Sequence, residues 1–142
     1  MKIYFSGSIR GGREKREDYE KIIEVLKQYG TVLTEHIGSK EIEIIEKHQT
    51  DEDIYLQDIE YMKNSDLFVA EVSVPSIGVG YELGYADALN KKMVCLYDNN
   101  SEKPLSAMIS GNKNIEIMEY INIDELLKSK KFRNLFLKER EV

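Results

Sequence analysis

Short apolar runs alternate along this chain with segments of helical periodicity, and that alternation limits the fold more than any other feature. Ile3, Tyr4 and Phe5 form a first run, stopped at Gly7. Tyr19, Ile22, Ile23, Leu26 and Tyr29 then recur at helical spacing, and Gly30 closes that helix. The sequence predicts further strands over 31–34, 67–72, 93–97 and 115–118. It predicts helices over 51–63, 78–90 and 123–137. Thr50 can cap the helix that begins at Asp51, and Asp51, Glu52 and Asp53 suit the positive end of its dipole. Residues 38–50 are polar and show no clear period. Strands alternating with helices imply an α/β fold, with a five-stranded parallel sheet covered by helices on both faces. No linker or repeat divides residues 1–142, so one domain is expected.

In such a sheet the ligand sits outside the carboxyl ends of the strands. Three clusters fall at that edge. GSIRGG, residues 7–12, follows the first strand. Its glycines let the backbone approach an anion, with Ser8, Arg10 and the following amides as partners. It matches neither the dinucleotide fingerprint nor a P-loop, and no cofactor or metal ion is expected. A plain strand-to-helix turn is the simpler reading.

PSIGVGYELGYAD, residues 75–87, follows the third strand. Val79, Leu83 and Ala86 mark a buried stripe, and Glu82 borders it. The helix start is expected to keep Glu82 ionised, and Gly78, Gly80 and Gly84 are expected to clear space around it. YLQDIEYM, residues 55–62, places Asp58 on the apolar line of Ile54, Tyr55, Ile59 and Met62. Burial there raises a carboxyl's pKa, as a general acid requires. Each acid also has a structural reading, as a helix-start residue or a loop cap. Two carboxyls of separated acidity suit displacement at an anomeric carbon.

The motifs YFSGSIRGGRE, VLTEH, QD, VAEVSVPSIGVGYELG and LSAMI, spread in order over residues 3–111, resemble the 2′-deoxynucleoside 5′-monophosphate N-glycosidases. These belong to the nucleoside 2-deoxyribosyltransferase superfamily. The resemblance implies a Rossmann-like (flavodoxin-like) fold, a homodimer, and release of free base and 2-deoxyribose 5-phosphate. It implies that Glu82 is the nucleophile, Asp58 the acid on the leaving base, and Tyr4 a residue beside the sugar and the nucleophile. Ser8, Ile9, Arg10, Gly11, Ser76 and Gly78 would line the phosphate and sugar pocket, with His36 near the base. Ser106 and Met108 would reach into the partner's site. The sequence departs from the pattern mainly at 38–53, a segment placed to shape base preference. A deoxyribosyltransferase, a ribonucleotide N-hydrolase and a nucleotide sensor without turnover are the alternatives.

The remaining features are plainer. A formal net charge of -6 argues against a broad grip on nucleic acid or an anionic membrane. The single cysteine, Cys95, excludes an intrachain disulfide and reads as a core residue. No signal peptide or spanning segment is evident, so a cytoplasmic location is expected. Glu71 reads as an edge acid able to orient a ligand. The tail LKSKKFRNLFLKER reads as a closing amphipathic helix.

Overall fold

The computed structural model describes residues 1–137. Strands β1 (Lys2–Ser6), β2 (Thr31–Val32), β3 (Leu67–Glu71), β4 (Lys92–Asp98) and β5 (Ile115–Tyr120) form one sheet. Every pairing is parallel and the order is β2-β1-β3-β4-β5. This is the flavodoxin-like order, whose direction reverses between β1 and β3. The helices are α1 (Arg16–Leu26), α2 (Ile42–Lys47), α3 (Asp51–Asn64), α4 (Ile77–Ala88), α5 (Ala107–Ser110), α6 (Ile123–Lys128) and α7 (Lys130–Leu137).

The two-residue alternation of strands builds two cores, one on each face. Ile3 and Phe5 of β1, with Leu67 and Val69 of β3, pack against α1, α6 and α7. Tyr4, Phe68 and Ala70 point the other way, toward α3 and α4. Tyr4 stacks on Phe68 with ring centroids 5.0 Å apart. Phe68 is fully buried, so truncation to alanine costs about 3–5 kcal/mol and removes the ring that holds Tyr4.

Local chemistry sets the helices that matter for the site. Thr50 and Asp53 form a reciprocal capping box: the Thr50 hydroxyl accepts from the Asp53 N–H at 3.0 Å, and the Asp53 carboxylate accepts from the Thr50 N–H at 3.1 Å. That fixes the start of α3, two turns before Asp58. Ser76 caps α4 by accepting from the Val79 N–H at 3.3 Å. Asn90, with φ of 58°, ends the chain's run beyond α4 in the left-handed region that Asn tolerates.

Four expectations need correction. The second strand spans only Thr31–Val32; Thr34 turns inward, and its hydroxyl bonds both the N–H and the carbonyl of Phe5, while Glu35–Gly38 form a 3-10 turn. The aperiodic segment holds a short helix, α2. The closing helix is two helices broken at Ser129, whose hydroxyl binds the Leu126 carbonyl and the Phe132 N–H; the end of the basic tail, 138–140, lies outside the described residues. Glu71 is fully buried, held by both the N–H and the hydroxyl of Ser73 and by the Tyr120 hydroxyl, so it faces no ligand. Cys95 is buried, as expected. Among the described residues, no helix is long and apolar enough to cross a membrane.

Candidate active site

A cavity of about 630 Å³ opens at the carboxyl edge, beside the β1/β3 reversal. Its wall comes from the loop after β1 (Gly7, Ile9, Arg10, Gly11), from α2 (Glu46), from α3 (Asp51, Ile54, Tyr55, Asp58) and from the start of α4 (Ser76, Gly78, Glu82). A volume of this size suits a small organic ligand.

Glu82 forms the centre of the hydrogen-bonding network. Tyr4 and Ser6 lie two apart on β1 and so share a face. The Ser6 hydroxyl donates to the Glu82 carboxylate at 2.7 Å, and the Tyr4 phenol lies beside the same group, near enough for each to shift the other's acidity. Burial, reinforced by the charges of Glu82 and Asp58, pushes the Tyr4 phenol far above its usual range, so it stays a neutral donor.

The expected acidity of Glu82 is overturned. Glu82 is the sixth residue of α4, beyond the first turn where the helix dipole acts. Burial lifts its carboxyl to about 7, against the lowering effect of the Ser6 hydroxyl and the Tyr4 phenol. Burial, with the charge of Glu46, lifts Asp58 to about 6. Near neutral pH the pair therefore holds close to one proton between them. With Glu82 lifted further than Asp58, the shared proton rests mainly on Glu82 in the free protein, and the arrangement with Glu82 ionised and Asp58 protonated is the minor one.

The loop after β1 is drawn tightly against the start of α4. A Cβ at Gly11 would lie 2.8 Å from the Pro75 carbonyl and 2.9 Å from the Ser8 hydroxyl, so only glycine fits. Ser8 lies beneath the loop, fully buried; its N–H donates to the Tyr19 hydroxyl at 3.0 Å. Its hydroxyl has no protein partner. The Arg13 guanidinium braces the loop by donating to the carbonyls of Ser8 and Ser39. Arg10 stands at the rim, well exposed, and pairs with Asp51 at 3.0 Å.

Not every expected site residue meets here. His36 lies on the 3-10 turn, outside the cavity wall, and burial lowers its pKa. Tyr55 is not in the apolar line of α3; it is half-exposed at the cavity edge, edge-on to Tyr81. Gly78 is one turn from Glu82 and shares its cavity, but Gly80 and Gly84 face elsewhere. They line a second, apolar groove of about 570 Å³ between α4 and α5, together with Ser106 and Met108. Ser106 caps α5, and the Met108 side chain is 83% exposed. Ser6, Glu46 and Arg13 were missed. Ser6 was accessible from the alternation that begins at Tyr4; Glu46 was not, because α2 has no legible period.

The sheet order, the glycine-rich loop and the two carboxyls agree with the outcome of comparison with known proteins. The chain belongs to the nucleoside 2-deoxyribosyltransferase family, whose model matches residues 3–124. It is 47% identical over 116 residues to the 5-hydroxymethyl-dUMP N-hydrolase of Tetraodon nigroviridis, covering 80% of this chain and 82% of that one. It is 50% identical over 124 residues to a putative 2′-deoxynucleoside 5′-phosphate N-hydrolase 1 of Nematostella vectensis, covering 84% of each. The solved structure of the Clostridium botulinum CMP N-glycosidase BcmB superposes with a TM-score of 0.66 at 22% identity, over 90% of this chain and 96% of that one. That likeness bears on the fold.

Proposed function

We propose that the protein hydrolyses the N-glycosidic bond of 2′-deoxynucleoside 5′-monophosphates. The observation that carries this reading is the presence of Glu82 and Asp58 in one cavity, with the Ser6 hydrogen bond supplied to Glu82 alone. The names of the N-hydrolase relatives support the substrate class.

In the first step the ionised Glu82 carboxylate attacks C1′. The C1′–N bond breaks, its electron pair goes to the base, and Asp58 gives its proton to the departing base. In the second step a water attacks C1′ of the glycosyl ester while the Asp58 carboxylate takes its proton, and Glu82 leaves as a carboxylate. Ser6 and Tyr4 hold Glu82 in line. Ile9, Gly11 and the capped start of α4 at Ser76 and Gly78 form the phosphate end, with Arg10 at its rim and Ser8 buried beneath the loop, outside the wall. His36 stands beyond this wall.

The same reading includes a symmetric dimer. Ile77 is 95% exposed and Met108 83% exposed beside the apolar groove, and a second copy covers such a surface economically. Ser106 and Met108, which do not line their own chain's cavity, then complete the partner's. Free nucleotides are cytoplasmic solutes, so the reading carries a cytoplasmic location with it.

The test is to incubate the protein with deoxy- and ribonucleoside monophosphates and with the matching nucleosides, and to measure free base. Base released from deoxynucleotides is expected. No release from any deoxynucleotide, or exchange onto a second base outrunning hydrolysis, overturns the reading.

A further inference from the structure

We propose that Glu46 reads the leaving base, its carboxylate accepting a hydrogen bond from an exocyclic donor on the base edge. The proposal rests on the N-hydrolase reading above.

Glu46 follows Ile42 by four residues on α2 and so shares its face. Ile42 is buried, whereas Glu43, Ile44, Ile45 and Lys47 are exposed. The short helix therefore turns one acid inward, onto the wall that holds Asp58 and Glu82. On that wall Asp51 is engaged by Arg10 and Glu82 by Ser6, while Asp58 is assigned the proton transfer. Among the described residues, the Glu46 carboxylate has no hydrogen bond or ion pair. A partly buried carboxylate without a donor is costly, and a ligand that brings one is favoured.

The position points to the base rather than the phosphate. The negative charge of Glu46 repels a phosphate. The Arg10 and Arg13 guanidiniums partly offset that charge. Glu46 shares the cavity wall with Asp58, the acid on the departing base. An ionised carboxylate only accepts. It selects an amino or hydroxyl group on the base and disfavours a carbonyl or methyl at the same place.

Two substrate pairs isolate that contact. Deoxycytidylate and deoxyuridylate differ at an amino group versus a carbonyl, and 5-hydroxymethyl-dUMP and deoxythymidylate differ by one hydroxyl. The ratio of kcat/KM within each pair, and the ratio of Kd by calorimetry, are measured for the wild type, Glu46→Ala and Glu46→Gln. The wild type should prefer the donor-bearing member of at least one pair by about tenfold or more. Glu46→Ala should bring that ratio near one, and Glu46→Gln, which can donate, should move it toward the acceptor-bearing member. A wild-type ratio near one in both pairs, or a preference retained by both variants, overturns the proposal. If the wild type releases no base, the function reading fails, and the Kd ratios still decide on Glu46. Melting temperatures of the two variants identify any loss that comes from unfolding.

Discussion

The Ser6 hydroxyl donates to the Glu82 carboxylate at 2.7 Å across 76 residues of chain. The contact joins the end of β1 to the second turn of α4 and ties the reacting group to the sheet. Ser6→Ala should lower kcat by about tenfold or more with little change in KM, because one donor to the ionised nucleophile is lost. Steady-state kinetics on a deoxynucleotide decide it; an unchanged kcat would show that Tyr4 alone holds Glu82.

Glu82→Gln should retain nucleotide binding and lose turnover by roughly 10⁴-fold or more, since an amide keeps the shape but cannot attack C1′. Isothermal titration and base release on the same preparation separate the two effects. Wild-type kcat in this variant rules out the covalent route.

Asp58→Asn should slow release most for poor leaving bases and least for activated ones, by about 10²–10⁴-fold on the former. The comparison is one deoxynucleotide with an ordinary base and one with an electron-poor base. Equal losses on both remove Asp58 from the proton-transfer step.

Arg10→Ala should weaken deoxynucleotide binding on the order of tenfold while leaving the nucleoside unaffected. Because Arg10 pairs with Asp51, Asp51→Asn should act in the opposite direction by releasing the guanidinium. Affinity measured for each monophosphate and its nucleoside checks both. Parallel losses for the two ligand types put the anion elsewhere.

Acidity enters stability as well as rate. The Glu82 carboxyl rises from its ordinary 4.5 to about 7 on folding. A raised acid contributes stability that is complete below the unfolded value and is lost as pH climbs through the folded one. Glu82→Gln should therefore leave stability near pH 4.5 almost unchanged and add on the order of 3 kcal/mol at pH 8. Urea unfolding at the two pH values reads the difference. Activity, which needs one proton on the pair, should rise toward pH 6 and fall beyond pH 7.

Much of this architecture was legible because strong periods leave little choice. The strand at Ile3–Phe5, the helix carrying Tyr19 to Leu26 and the cap at Thr50 each followed from spacing and side-chain chemistry. Asp58 stood out because an acid on an apolar line needs a reason. The setting of Glu82 departs from the expectation because it stands in the second turn of α4, past the reach of the helix start, and because it is buried against β1. The glycines of α4 divided between two faces, Gly78 with Glu82 and Gly80 with Gly84, as a 3.6-residue turn requires. Glu46 remained hidden because α2 is too short for a pattern to declare itself.

The sheet separates two packed layers, and that partition has an evolutionary consequence. Phe132, Leu135 and Phe136 sit behind it, in the core that Tyr4 and Glu82 do not touch. Descendants can exchange side chains there to survive heat or cold, changing how many molecules stay folded without altering what each one accomplishes. Tyr19 is an exception to that freedom: it belongs to the rear layer, yet its hydroxyl receives the Ser8 N–H under the anion loop. Drift at Tyr19 would be felt on both sides at once, so lineages adapting to new temperatures should vary Phe132 and its neighbours long before they alter Tyr19.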